Sequence, residues 1–210
     1  MFPFCGDREE GKMRLAVLTS VVAIGALCAP AALAGTKVLV KTRTYNIAGT
    51  TGAALIEAMD RSGPKHGFMT HAIAQTGYSV DDWTFDAHRE NGVCRLRQAN
   101  GTLNLFYTYP KLVSATSPAL QKRWKRFFAG VRAHEETHGR IARQMMRATE
   151  KSLRGLTVGD DPHCFEARRE AKRRINAIYA EYEAKQIAFD AHEHRDGGPV
   201  EHLIRAFVGQ

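Results

Sequence analysis

The sequence predicts an α+β fold in which a strand-rich N-terminal half packs on two long C-terminal helices, the first carrying an HExxH motif. Three observations support this. Short apolar–polar alternations, punctuated by glycine, fill residues 36–109, as expected of half-buried strands. Beyond Pro110 the apolar spacing changes to a helical period and holds over two long stretches. With 210 residues, 44% hydrophobic and 25% charged, the chain can bury a proper core. That composition excludes collagen-like, low-complexity and wholly disordered chains.

Residues 1–34 read as a signal peptide. Met13-Arg14 is a short basic start, Leu15 to Leu27 an apolar stretch, and Ala32-Leu33-Ala34 a small-x-small cleavage site. Cleavage is expected after Ala34. The acidic Asp7, Glu9 and Glu10 are out of place before a signal and point to Met13 as the true start. The alternative is an uncleaved anchor, but the apolar run of about 13 residues falls short of a membrane span. The expectation is a secreted or periplasmic protein without stable membrane insertion. Its mature chain is one domain, residues 35–210, divided into a strand-rich 35–110 and a helical 111–210.

The elements follow in order. Thr36 to Ile47 alternates as an extended strand, and Gly49 breaks it. Thr51 to Arg61 is a short amphipathic helix with Leu55, Ile56 and Met59 inward, stopped at Gly63-Pro64. Further strands are expected over 68–75 and 78–88, and as a hairpin of 94–98 with 102–109 around Ala99-Asn100-Gly101. Ser117-Pro118 opens the first long helix, with serine as N-cap and proline at the first helical position. Its stripe runs through Leu120, Trp124, Phe127, Val131, Ile141 and Met145. Asp161-Pro162 opens the second helix, which extends to about Ala188. Residues 189–210 read as an irregular tail.

Cys5 and Cys28 leave with the signal, so Cys94 and Cys164 remain. Two cysteines in an exported chain are expected to form one disulfide; two buried thiols are the alternative.

His134-Glu135-Glu136-Thr137-His138 is the HExxH sequence. Residues four apart share a helix face, so both imidazoles can grip one metal ion. Glu135 is rotated about 100° from His134 and can reach a water beside the metal without ligating it. The two histidines occupy the inward stripe, where apolar residues are otherwise expected. Unpartnered polar rings are costly there, which favours metal binding over a hydrogen-bonded core pair. Zinc is the expected cofactor, one per chain, with Glu135 as general base. A third ligand is required, and none lies within the next two turns. His194 is the first choice, then His192, then Asp190; Glu181 and Glu183 are an alternative on the second helix.

Taken together, these residues resemble a bacterial family of predicted secreted zinc-dependent proteases, a zincin-like domain-of-unknown-function family. The resemblance rests on Tyr45-x-x-x-Gly49, Gly63-Pro64, Trp83, Gly92-x-Cys94, Pro110, Trp124, the HExxH sequence, Cys164 and Phe189-Asp190, in that order. It implies a zincin-like fold, export, one zinc and a Cys94–Cys164 disulfide. The chain departs from the pattern after Asp190. Similar proteins have Tyr-Asp with a Thr and a His-Gly following, and here Phe189-Asp190 precedes His192-Glu193-His194.

The expected function is a secreted zinc metallopeptidase acting on a peptide or protein substrate. The alternatives are another zinc amide hydrolase acting on cell-wall peptides and a non-catalytic, zinc-stabilised envelope protein. The formal net charge of +8 invites a nucleic-acid reading. However, residues 111–185 hold 17 basic against nine acidic side chains, which puts the excess on the two long helices. In an exported protein that points to anionic envelope surfaces or acidic substrates rather than to nucleic acid.

Overall fold

A computed structural model describes residues 35–66 and 70–209. The signal peptide expected over 1–34 lies outside these residues, as does part of the strand expected over 68–75. The chain is α+β, with a strand-rich N-terminal half and C-terminal helices. The first half comprises β1 (Lys37–Ile47), α1 (Gly52–Ser62), β2 (Lys65–His66), β3 (Thr70–His71), β4 (Gln75–Val80), β5 (Thr84–Glu90), β6 (Val93–Asn100) and β7 (Thr102–Leu112). The second comprises α2 (Pro118–Leu153), the short β8 (Thr157–Val158), α3 (Phe165–Glu193) and α4 (Pro199–Val208).

Three sheets form: β1-β7-β4, β2-β3 and β5-β6-β8. In the first, β7 is central, parallel to β1 from Lys37↔Thr102 to Ile47↔Leu112 and antiparallel to β4. The inward residues of β7, Leu103, Leu105, Tyr107 and Tyr109, are buried in one core with Phe127, Val131 and Met145 of α2. Gly139 lets α2 lie close to this sheet, since a Cβ there would fall 1.8 Å from the Tyr107 hydroxyl oxygen. A second core gathers Leu96, Ala99, Leu153 and Ala167 around the Cys94–Cys164 disulfide.

The expected hairpin between residues 94–98 and 102–109 does not form. Both segments are strands, but β6 pairs with β5 and β8, and β7 pairs with β1 and β4. The Gly101 carbonyl accepts from the Lys37 N–H at 3.0 Å, and Gly101 packs under the Trp83 ring. The chain therefore passes from one sheet to the next instead of reversing. The hairpin lies one strand earlier, at Asn91-Gly92, with φ of 50° and 76°. Two left-handed residues in a two-residue loop match the twist of the flanking strands, so Asn-Gly is favoured there. The strand expected over 78–88 is likewise two strands, interrupted at Asp81–Trp83.

Ser117 caps α2 as expected, its hydroxyl accepting from the Leu120 N–H at 3.2 Å. At α3 the Asp161 carboxylate accepts from the Phe165 and Ala167 N–H groups, both at 2.8 Å, and the helix begins three residues after Pro162. It continues to Glu193, so residues 189–193 are helical rather than irregular. The tail then folds as α4, with Pro199 at its first turn and apolar residues at 200, 203, 204 and 207. Phe207 is buried and stacks on Phe127 with ring centroids 4.4 Å apart. Trp124 joins this cluster, in line with its place on the α2 stripe. No helix among the described residues is long and apolar enough to cross a membrane.

Candidate metal centre

The α2 face that turns towards α3 carries His134 and His138, one turn apart. The α3 face that meets them carries Gln186, Asp190 and Glu193. This second set exists only because the helix runs past Ala188, which puts 186 and 190 one turn apart on the same side. The ligand atoms of His134, His138 and Asp190 lie within 4.8 Å of one another. His138 Nε2 is 2.9 Å from Asp190 Oδ1 and 3.2 Å from His134 Nε2; His134 Nε2 is 3.4 Å from Asp190 Oδ1. Ligands about 2.0–2.2 Å from a tetrahedral ion are about 3.3–3.6 Å apart, close to these separations.

The order of preference for a third ligand changes with this geometry. Asp190 joins the two histidines. His194, the first choice from sequence, follows the last helical residue and is exposed, with its ring perpendicular to His134 at 5.3 Å between centroids. His192 points away, its side chain 59% exposed and its Nδ1 3.4 Å from Glu193. A helical backbone puts 190 and 194 about a turn apart along α3, and the 190 level faces the histidines. Of the alternative pair, Glu181 holds Lys185, and Glu183 accepts from the Tyr78 hydroxyl at 3.2 Å.

Gln186 is a positioning residue that the sequence reading missed. Its Oε1 is 2.7 Å from His138 Nδ1, and its Nε2 donates to the His138 carbonyl at 3.2 Å. A carbonyl facing Nδ1 selects the tautomer protonated there and leaves the Nε2 lone pair aimed at Asp190 and His134. The His138 lone pair, the His134 Nε2 atom and an Asp190 oxygen then converge, a donor set that suits a cation. His134 Nδ1 is buried without a hydrogen-bond partner. The Glu193 carboxylate is 3.7 Å from it, too far for a hydrogen bond. Burial, followed by the neighbouring His138, pushes the His134 pKa down, which favours the neutral, ligating imidazole. Phe189 packs on both rings, with centroids 4.9 Å from His134 and 5.0 Å from His138.

Glu135 is buried on the adjoining face of α2 and lines the same cleft. Its Oε2 accepts from the Thr76 hydroxyl at 2.6 Å. Burial raises its pKa, and the Thr76 hydrogen bond opposes that rise only in part. The cleft encloses about 850 Å³. Ile73, Gln75, Thr76 and Tyr78 form one wall, Ile187 and Ala191 of α3 another, and Leu203 and Ile204 of α4 a third. The helical tail therefore builds part of the cleft. Strand β4 is an edge strand, pairing only with β7 among the described residues.

Fold and site together define an α+β protein with a candidate two-histidine, one-carboxylate metal centre in a cleft. The chain belongs to the family described as "Bacterial protein of unknown function (DUF922)", whose pattern matches residues 42–198. The match includes every residue of the candidate centre and stops at the start of α4. Neither the curated proteins nor the solved structures provide a match.

Proposed function

We propose that this protein is a zinc-dependent metallopeptidase with a zincin-like site, in which His134, His138 and Asp190 hold the metal and Glu135 is the general base. The observation that carries the reading is the convergence of those three ligand atoms in the cleft that Glu135 also lines. When bound, a zinc ion supplies Lewis acidity and makes water ionisable near neutral pH. The Thr76 hydroxyl holds Glu135 Oε2 and so orients the carboxylate, leaving Oε1 to accept the proton of the attacking water. Burial raises the proton affinity of Glu135, which suits a group that must keep the proton until the leaving amine takes it. Gln186 holds the His138 ring in the ligating tautomer. The β4 edge without a strand partner among the described residues is where an extended peptide would add as a strand, with side chains alternating into the cleft.

The disulfide supports a location outside the cytoplasm, where such bonds persist. Export through the leader at 1–34 completes the proposal of a secreted or periplasmic enzyme. One observation favours a second reading. Phe189, which packs on both histidine rings, offers no hydroxyl where the resemblance in sequence implies a tyrosine, as expected of a zinc-stabilised binding protein that has lost catalysis. Digestion of a broad peptide library by the purified protein, read by mass spectrometry, separates the two. The peptidase reading predicts cleavage that Glu135→Gln abolishes while zinc is retained. Full cleavage by that variant would refute the mechanism, and zinc without any cleavage would select the second reading.

A further inference from the structure

A second groove, of about 750 Å³, lies at the other edge of the β1-β7-β4 sheet. Its floor is Val40, Thr42 and Thr44 of β1 with Tyr107 and Tyr109 of β7; its wall is a row of side chains from α2. That row contains Arg132, Arg140, Arg143 and Arg147, with Glu136 as the single acid. At 100° per residue these positions sit about 160–240° around the helix from His134, so the row is separate from the metal face. Glu136 is engaged by Arg132 at 2.8 Å, and Arg140 donates to the Thr137 hydroxyl. Among the described residues Arg143 and Arg147 have no carboxylate partner, unlike Arg132 and Arg154 of the same helix region.

Strand β1 is itself unusual. It has 11 residues, pairs only with β7 among the described residues, and is exposed on both faces over most of its length. Val38, Leu39 and Val40 are 37%, 40% and 49% exposed. Long apolar edge strands invite pairing with another chain, because alternate N–H and C=O groups point away from the sheet. Lys37, Lys41 and Arg43 alternate with the groove-facing residues and so project from the opposite face. Whatever pairs with this edge meets arginines on one face and further basic groups on the other.

We propose that β1 and the α2 arginine row form a binding site for an acidic polypeptide segment, which adds to the β1 edge as a fourth strand. Alternate residues of the segment, about 6.8 Å apart on one face, lie beneath arginines that follow one another by one or two helical turns. The open edge favours a polypeptide over a polyphosphate or a sulfated sugar, since only a polypeptide supplies main-chain groups that complete the ladder. This site is independent of hydrolysis in the metal cleft.

The test uses a fluorescein-labelled nine-residue peptide of alternating Glu and Val, read by anisotropy. The full-length Glu135→Gln variant serves as receptor, so that the probe is not cut. Saturable binding is expected, weakening with salt. The double change Arg143→Glu and Arg147→Glu, on exposed or half-exposed positions, should weaken it by about tenfold or more. Arg43→Glu, on the opposite face of β1 where the probe presents Val, is a second variant remote from α2 and should weaken binding less than the α2 double change; an equal or larger loss would overturn the assignment to the arginine row. Methylation of alternate amide nitrogens in the probe should abolish binding at unchanged charge. Absence of binding would overturn the proposal, as would charge reversal without effect. Equal binding of the methylated probe, or displacement by heparin at matched charge, would show an unspecific polyanion surface and overturn strand addition.

Discussion

Gln186 provides a sharp perturbation, because it touches a candidate ligand without being one. Gln186→Leu removes the acceptor 2.7 Å from His138 Nδ1 and the donor 3.2 Å from the His138 carbonyl, at a buried position and with little change of volume. The ring then loses its fixed tautomer and orientation. Outer-sphere partners of this kind are typically worth about 10–100-fold in metal affinity, or about 1.4–2.8 kcal/mol. Gln186→Glu keeps an acceptor at the same place, so its zinc affinity should stay within about threefold of the parent or tighten. Zinc affinities of the three proteins, by competition with a chromophoric chelator near neutral pH, check the argument. Parent-like affinity in Gln186→Leu would refute the orienting role. An equal fall in both variants would show that the loss comes from disturbed packing and not from the missing acceptor.

Other expectations are open to simpler measurements. The disulfide closes a separation of 70 residues, for which chain entropy gives about 4 kcal/mol as an upper figure. Denaturant titration with and without reductant should show a loss of that order, and no loss would contradict the pairing's role. Gly139→Ala drives a methyl group to 1.8 Å from the Tyr107 hydroxyl oxygen and should cost about 1–3 kcal/mol; adding Tyr107→Phe should recover part of it. Thermal melts of both variants decide whether the cost is additive. Burial pulls the Asp161 carboxyl up, but the N–H groups of Ala167, Glu166 and Phe165 outweigh it and hold the group below its ordinary value of 3.8. A depressed folded-state value means a contribution complete above the ordinary value and lost as pH falls through the lower one. The melting-temperature gap between the parent and Asp161→Asn should be constant near neutrality and close as the pH falls below 3.8 and through the depressed folded-state value. A gap independent of pH would remove charge from the explanation.

The sequence showed its helices and its HExxH histidines more plainly than its sheet pairing. Helical periodicity is local, so α2 and its cap at Ser117-Pro118 could be read directly. Strand partners are set by contacts across the chain. The Asn100-Gly101 pair looked like a hairpin, whereas Gly101 is spent on a close passage beside Trp83 and the turn belongs to Asn91-Gly92. The end of α3 was misplaced because His192-Glu193-His194-Arg195 has no apolar stripe. Its residues at 186 and 190 are polar and meet His138 of α2. The same misplaced helix end hid that Asp190 lies beside the two histidines, since a carboxylate within a helix is not distinguishable from a solvated one until its neighbours are known. Helix α4 was legible in principle from Pro199 and the apolar spacing at 200, 203, 204 and 207, but the glycines before it suggested an irregular tail. Gln186 left no local signal, because its role depends wholly on His138, 48 positions away.

The central claim is that one metal ion sits between α2 and α3, held by His134, His138 and Asp190. Anomalous diffraction at the zinc edge, from crystals of protein purified with zinc, tests it most directly. The account predicts one strong peak per chain within bonding distance, about 2.0–2.2 Å, of both histidine Nε2 atoms and an Asp190 oxygen. A peak bonded to His194 in place of Asp190, or none between the two histidines, would contradict it.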